Sequence, residues 1–367
     1  MSAETGCIKF SLMTEPVYQE ALEAFSNSLQ GFAVKPLKSG LINQSFKITS
    51  KMTGESFLLQ GINQHVFPEP GKVQYNYELL WKYLQSQEIF FFIPEPKYFA
   101  GDAILFCDSR KNCWRVFEFV EGAKTFVVAE KTSQAWAVAE SFAEFTASFS
   151  NFDAEQLAII IPGFHNLSFR FNQFKDALHT HQYDRLQRAI DLIDELKKRE
   201  RYANFFDVLT ESDEFPKRVM HHDAKISNVL FDEDSDEVIC PIDFDTVMPG
   251  YFFSDIGDMI RSMACNLDEA STEFDKIKIR KSYYEAILEG YLSVMGKYFT
   301  DAEKKYIHVS GIIMIYMQAL RFLTDYLNGD IYYRVTYPGQ NFDRAMNQLT
   351  LLKRLEEFLL KEYNFKI

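Results

Sequence analysis

Apolar positions pattern the chain in two styles. From residue 33 to residue 63 they alternate. Residues 33–38 read as a strand that stops at the Ser39–Gly40 break, and residues 43–49 alternate with Phe46 and Ile48 on one face. After a tight turn at Thr53–Gly54, residues 57–62 form a third strand. Residues 71–87 switch to a helical period, with Leu79, Leu80, Tyr83 and Leu84 on one stripe. Pro94 and Pro96 interrupt the chain, and residues 98–106 and 113–120 predict two more strands. Strands with a single helix over residues 1–120 predict a small α+β lobe.

Beyond Glu121–Gly122 the pattern becomes helical. Val138, Phe142, Phe145 and Phe149 make one stripe, and Leu186, Ala189, Ile190, Ile193 and Leu196 make another. The second ends in Lys197, Lys198, Arg199 and Arg201. These read as cations at a helix C-terminus rather than as a binding patch. From residue 254 onward the chain reads as mostly helix. Thr300 with Glu303 forms a capping box that opens a long helix through Leu327. Residues 121–367 therefore predict a larger helical lobe, interrupted by one strand-like island at 218–249.

Composition removes several function classes. With 52 acidic and 39 basic residues the net charge is −13, so nucleic acid and anionic membrane surfaces are not expected partners. An anionic ligand needs a local site of backbone N–H groups, Lys, Arg or a metal. Five scattered cysteines (Cys7, Cys107, Cys113, Cys240 and Cys265) make an odd count without a CxxC pair. Neither a disulfide framework nor a zinc site is expected, and a reducing, cytoplasmic setting fits. The first residues lack a signal-peptide pattern. The most apolar stretch, 311–323, carries Gln318 and Arg321 and falls short of the ~20 residues a spanning helix needs.

The island holds the charges that suggest chemistry. Its first part places His221, Asp223 and Asn228 in the spacing H-x-D-x-x-x-x-N, and a hydrophobic strand later comes Ile242-Asp243-Phe244-Asp245. An Asp and an Asn five residues apart on a loop converge if the loop doubles back. An Asp at the end of the next strand then meets the Asn around one cation. Hard oxygen ligands suit Mg²⁺, which also binds phosphates. This is the layout of phosphoryl transfer, with one Asp on the hydroxyl and an Asn and an Asp on the metal. Turn and cap chemistry is the alternative for such residues. Lys225, between the two acids, is well placed for phosphate.

His221, Asp223, Asn228 and Asp243 resemble the catalytic loop and metal-binding Asp of the protein-kinase-like fold, in its aminoglycoside/choline phosphotransferase branch. Residues 222–230, 242–250, 255–261, 58–63 and 320–327 are similar to bacterial N-acetylhexosamine 1-kinases, and the likeness runs from about 36 to 347. The resemblance implies a two-lobed α+β fold and ATP- and Mg²⁺-dependent phosphorylation of a small-molecule hydroxyl, foremost the anomeric hydroxyl of an N-acetylhexosamine. It makes Asp223 the base, Lys225 a phosphoryl neighbour, and Asn228 and Asp243 the Mg²⁺ ligands. Glu118, Phe119 and Val120 would grip adenine. Gly40, Asn43 and Ser45 would lie in the loop over the phosphates, with Gln60 where kinases carry a strand lysine. Asp245, His222 and Arg321, together with Asp223, would contact the acceptor. The phosphate loop has one glycine, and the third strand has no lysine. An amino alcohol, homoserine or an aminoglycoside remains open as acceptor, as does a catalytically inactive kinase-like binding module. Arg321 with Asp325 also reads as an ordinary i, i+4 ion pair.

Overall fold

Antiparallel pairing organises the first part of the chain. In the computed structural model the described residues are 16–26, 31–37, 42–87, 90–179 and 183–367. Helix α1 (Gln19–Ser26) precedes β1 (Phe32–Leu37), β2 (Gln44–Ser50) and β3 (Ser56–Gly61); α2 (Pro70–Ser86) is followed by β4 (Pro96–Lys97), β5 (Phe106–Cys107) and β6 (Cys113–Glu118). The sheet runs β1-β2-β3-β6-β4, with β5 also on β6. Alternation puts Ile48, Phe57, Leu59, Trp114 and Val116 on one face, where they bury against Ala21 and Leu22 of α1. The opposite face carries Ser45, Gln60 and Arg115 in one row across β2, β3 and β6.

The chain divides into two compact units, residues 1–74 with 94–119, and residues 75–93 with 120–367. The second contains β7 (Ala123–Lys124), α3 (Thr132–Ser148), α4 (Leu167–Ala177), α5 (Tyr183–Arg188), α6 (Ile190–Lys197) and α7 (Arg201–Thr210). Next come β8 (Arg218–Met220), β9 (Val229–Asp232), β10 (Val238–Pro241), β11 (Met248–Gly250) and α8 (Phe253–Met259). Helices α9 (Lys281–Met295), α10 (Asp301–Lys305), α11 (Val309–Leu327) and α12 (Gln340–Tyr363) complete it. Helix α11 is buried on nearly every side and forms the axis of this unit. No helix among the described residues is long and apolar enough to cross a membrane. An antiparallel sheet lobe and a helical lobe with short hairpins make this a protein-kinase-like fold.

Several local expectations are corrected. Residues 98–106 are not one strand. Gly101 and Asp102 take positive φ and leave only a bridge from Phe99 to Ala103 before β5. The stripe from Leu186 to Leu196 spans two helices, because Ala189 leaves helical geometry at φ −99°, ψ 6°. The Thr300–Glu303 capping box forms, but it opens only the short α10, and α11 starts afresh at Val309. Glu303 is fully buried and also takes the Arg218 guanidinium, so a cap residue anchors the start of β8.

Cys107 and Cys113 are joined in a disulfide, where the odd count of cysteines predicts no disulfide framework. They face each other across β5 and β6, a proximity the sequence count does not reveal. Between them Asp108 accepts from the Arg110 and Asn112 amides and from Trp114 Nε1. Burial works against its charge, but these donors hold its carboxyl below the usual range.

One close helix contact decides where α8 sits. A Cβ on Gly257 would collide with the Ser310 carbonyl oxygen and the Met314 side chain of α11. Gly257→Ala should destabilise the protein by about 1–3 kcal/mol, the usual cost of overpacking. A shift of the urea midpoint at unchanged slope checks this, and a wild-type midpoint would show that the helices separate at no cost.

Candidate functional site

Strand β8 delivers the two histidines into the interior. His222 has φ +65°, so the chain turns sharply at the end of the strand. The turn leaves two backbone N–H groups pointing inward, and both bond to Asp255 on α8, His221 N at 2.9 Å and His222 N at 2.7 Å. Thr246 Oγ1 donates to the His221 carbonyl at 2.8 Å. The His221 ring is packed by Phe142, Phe145 and Phe244, and its Nε2 meets the Ile242 carbonyl at 3.0 Å. Burial lowers both histidines to a pKa of about 4 and raises Asp255 to about 7.

The loop then doubles back. A single 3₁₀ turn, Ile226–Asn228, returns Asn228 to Asp223. Asn228 Nδ2 donates to the Asp223 carbonyl at 2.9 Å and to Asp223 Oδ2 at 2.7 Å. Lys225 Nζ reaches the same Oδ2 at 2.8 Å. The two side chains of that ion pair keep 25% (Asp223) and 32% (Lys225) of their exposure, so a ligand can reach them. Burial opposes the Asp223 charge, but Lys225, His221 and Asn228 outweigh it and hold the carboxyl below its usual value. Lys225 is raised, because Asp223 outweighs the cost of its own burial. Asp223 is thus an ionised acceptor held by two donors.

Asp243 follows β10, which pairs with β9, and the Ile242 amide bonds the Asn228 carbonyl at 2.8 Å. That bond sets Asp243 beside Asn228. Asp243 also has positive φ, 64°, and starts a 3₁₀ turn, Phe244–Thr246. With its nitrogen committed twice to Asp223, Asn228 presents its side-chain oxygen elsewhere. Asn228 and Asp243 can therefore supply two hard oxygen donors to one cation. Among the described residues no group of three or more His, Cys, Asp or Glu is placed to hold a metal. Such a pair suits Mg²⁺ that also takes phosphate oxygens.

Asp245 is buried, at 2% exposure, within the Phe244–Thr246 turn. The His222 ring is also buried. Its Nδ1 lies 2.6 Å from Ser254 Oγ, which in turn lies 2.5 Å from His165 Nδ1. Gly250 exists where it does because a Cβ there would strike the His222 ring. Asp245 and His222 are less accessible than Asp223 and Lys225.

Of the expected nucleotide-binding positions, Ser45 and Gln60 face each other across β2 and β3. Gly40 lies outside the described residues. Asn43 Oδ1 accepts the Asn63 amide at 3.0 Å, and Gln60 Nε2 donates to Ser45 Oγ at 3.0 Å. Glu118 ends β6 and pairs through its backbone with Glu95, Phe119 bonds back to Ser56, and Val120 belongs to the second unit. Arg115 was not singled out from the sequence. It stands directly opposite Gln60 on β6, and its Nε bonds Gln60 Oε1 at 3.2 Å. Its signal was an arginine inside the otherwise apolar run from Cys113 to Phe117.

Arg321 does not pair with Asp325. The Asp325 carboxylate instead accepts from the amides of Ile331, Tyr332 and Tyr333 and from Asn341 Nδ2. Arg321 lies over the rings of Phe164, Tyr332 and Tyr333, with centroids at 5.0, 5.9 and 5.5 Å. It lines a cavity of about 420 Å³ in the second unit.

Residues 33–297 match the model of the phosphotransferase enzyme family, APH. Solved structures share the fold at low identity. An aminoglycoside phosphotransferase from Alicyclobacillus acidocaldarius aligns with a TM-score of 0.59 at 14% identity, covering 96% of this chain and 99% of that one. A choline kinase from Cryptosporidium parvum aligns at 0.56 and 14%, covering 94% and 96%. A spectinomycin phosphotransferase solved with ADP and spectinomycin aligns at 0.51 and 12%, covering 88% and 93%. A family match over most of the chain, on a kinase-like fold that holds Asp223, Asn228 and Asp243 in one loop system, makes this protein a member of the APH phosphotransferase family, acting on a small molecule.

Proposed function

We propose that the protein transfers the γ-phosphoryl group of ATP to a small-molecule hydroxyl, foremost the anomeric hydroxyl of an N-acetylhexosamine. The observation that carries the phosphotransferase reading is the ionised Asp223, held by Lys225 and Asn228 beside Asp243. Asp223 orients the acceptor hydroxyl and takes up its proton. Asn228 fixes the carboxylate, and Lys225 sets positive charge beside the oxygen that receives the phosphoryl group. Bound at Asn228 and Asp243, Mg²⁺ would neutralise charge on the phosphates. The neighbour solved with ADP supports nucleotide use. Asn43, Ser45, Gln60, Glu118, Phe119 and Val120 are the proposed nucleotide contacts, and Arg115 beside Gln60 supplies the cation the third strand lacks. The sugar reading rests on the likeness of residues 242–250 and 320–327 to sugar 1-kinases, with Arg321 as the acceptor contact. An amino-alcohol or aminoglycoside acceptor is the second reading, favoured by the choline kinase and aminoglycoside phosphotransferase neighbours.

A nucleotide-consumption assay over N-acetylhexosamines, aminoglycosides and amino alcohols tests these readings together. Asp223→Asn should lower kcat by about 10²–10⁴, the usual worth of general-base catalysis, with little change in nucleotide affinity. Wild-type turnover in this variant would remove Asp223 from the mechanism. In calorimetry, Asp243→Asn should abolish the Mg²⁺ dependence of ATP binding, and a retained dependence would point to another ligand set. Free N-acetylglucosamine or N-acetylgalactosamine should turn over while their 1-methyl glycosides do not. A site built to hydrogen-bond a hydroxyl rejects analogues lacking it by up to about 10⁴–10⁵. Equal use of the methyl glycosides would move the reaction to another hydroxyl.

A further inference from the structure

Asn76 stands in the interior of α2 with none of its surface exposed. Asparagine forms helices less readily than alanine or leucine, and a buried amide needs partners, so its presence there calls for a reason. From Tyr75 onward α2 belongs to the second unit. There the Asn76 side chain uses both N–H donors and its oxygen. Its Nδ2 donates to the Val247 carbonyl and to the Ala158 carbonyl, each at 2.9 Å, and its Oδ1 accepts the Ala158 amide at 2.8 Å. The two bonds to Ala158 hold that residue as a strand neighbour would, in a segment that is neither helix nor strand. The same segment is tied a second time, because the Ile160 and Ile161 amides donate to Met248 Sδ at 3.1 and 3.4 Å.

The bond to Val247 bears on the site. Val247 follows the Phe244–Thr246 turn, and Asp243 opens that turn at φ 64°. A non-glycine residue keeps such an angle only where its surroundings impose it. Here the constraints come from both sides. Before the turn, the Ile242 amide donates to the Asn228 carbonyl at 2.8 Å. Within it, Thr246 Oγ1 donates to the His221 carbonyl, and the Val247 amide closes on the Phe244 carbonyl at 3.1 Å. At its exit, the Val247 carbonyl accepts from Asn76. The next residue of α2, Tyr77, sets its ring edge against Phe244 with centroids 5.5 Å apart.

We infer that Asn76 is a positioning residue for the metal site. By fixing the exit of the turn, it holds the Asp243 carboxylate where that group and Asn228 can share one Mg²⁺. Fully buried, it acts through Asp243 and not on the ligands themselves. This rests on the proposed reading of Asn228 and Asp243 as the Mg²⁺ ligands, and extends it to a helix outside their loop system. Residues that orient metal ligands from behind are typically worth about 10- to 100-fold in metal affinity.

Calorimetric titration of the full chain with ATP, with and without Mg²⁺, tests this. Asn76→Ala should cut the gain in ATP affinity that Mg²⁺ brings by about 10- to 100-fold, while metal-free ATP binds as in the wild type. A purely structural role would weaken both titrations alike or neither. If Asn76→Ala fails to fold, Asn76→Ser takes its place with the same expectation, since one hydroxyl cannot serve three partners. An undiminished Mg²⁺ gain in the folded variant, or an equal loss with and without the metal, overturns the inference. Asp243→Asn separates the two readings. If it abolishes the Mg²⁺ gain while the Asn76 variant keeps it, the metal site stands and the positioning role falls. If Asp243→Asn leaves the gain intact, the metal reading falls and takes the role of Asn76 with it.

Discussion

Two adjacent amide protons, those of His221 and His222, need acceptors where solvent does not reach, and one carboxylate serves both. An unpaired buried N–H costs about 1–3 kcal/mol, and a non-glycine residue at positive φ costs a similar amount. His222 has such a φ, so the turn exists only because Asp255 receives both protons. The geometry beyond it follows. Asp223 leaves that turn toward the surface, the 3₁₀ turn brings Asn228 back to it, and the Ile242 amide ties the next strand to Asn228. Asp255 in turn depends on α8, whose approach to α11 is permitted by Gly257. The chemistry at the surface is held in place by packing between two helices beneath it.

Much of this was legible in the sequence for a specific reason. The spacing of His221, Asp223 and Asn228 is short, so the loop that joins them has few ways to fold. The strand to Asp243 reads from its continuous apolar run, Val238–Pro241. Period-2 patterning marks the first three strands of the first unit. What was not legible depends on neighbours distant in sequence. Asp325 looked like a partner for Arg321 because they are four residues apart on one helix. The chain beyond α11 folds back and offers it three amides, which outcompete a half-buried guanidinium. The Leu186–Leu196 stripe slips at the break: Ala189, Ile193 and Leu196 reach the same core, whereas Ile190 is exposed. Arg115 was passed over for the same reason. It gains its meaning from Gln60, its partner across the sheet.

The cysteines show the same limit from the other side. An odd count argues against a framework of disulfides, yet one pair forms where β5 and β6 bring Cys107 and Cys113 opposite each other. Cys240 and Cys265 are buried and outside the disulfide. A count measures the average chemistry of a chain, whereas register decides the chemistry of a pair.

Gly250 and His222 carry one more consequence. The glycine is required there by the volume of the imidazole ring and not by its own backbone angle. The two positions therefore form one steric unit, although they belong to different motifs. During divergence, a smaller residue at 222 would release 250 to accept a side chain, whereas any enlargement at 250 must wait for that loss. Relatives should change these sites in that order, so the pair records the direction in which a lineage has drifted.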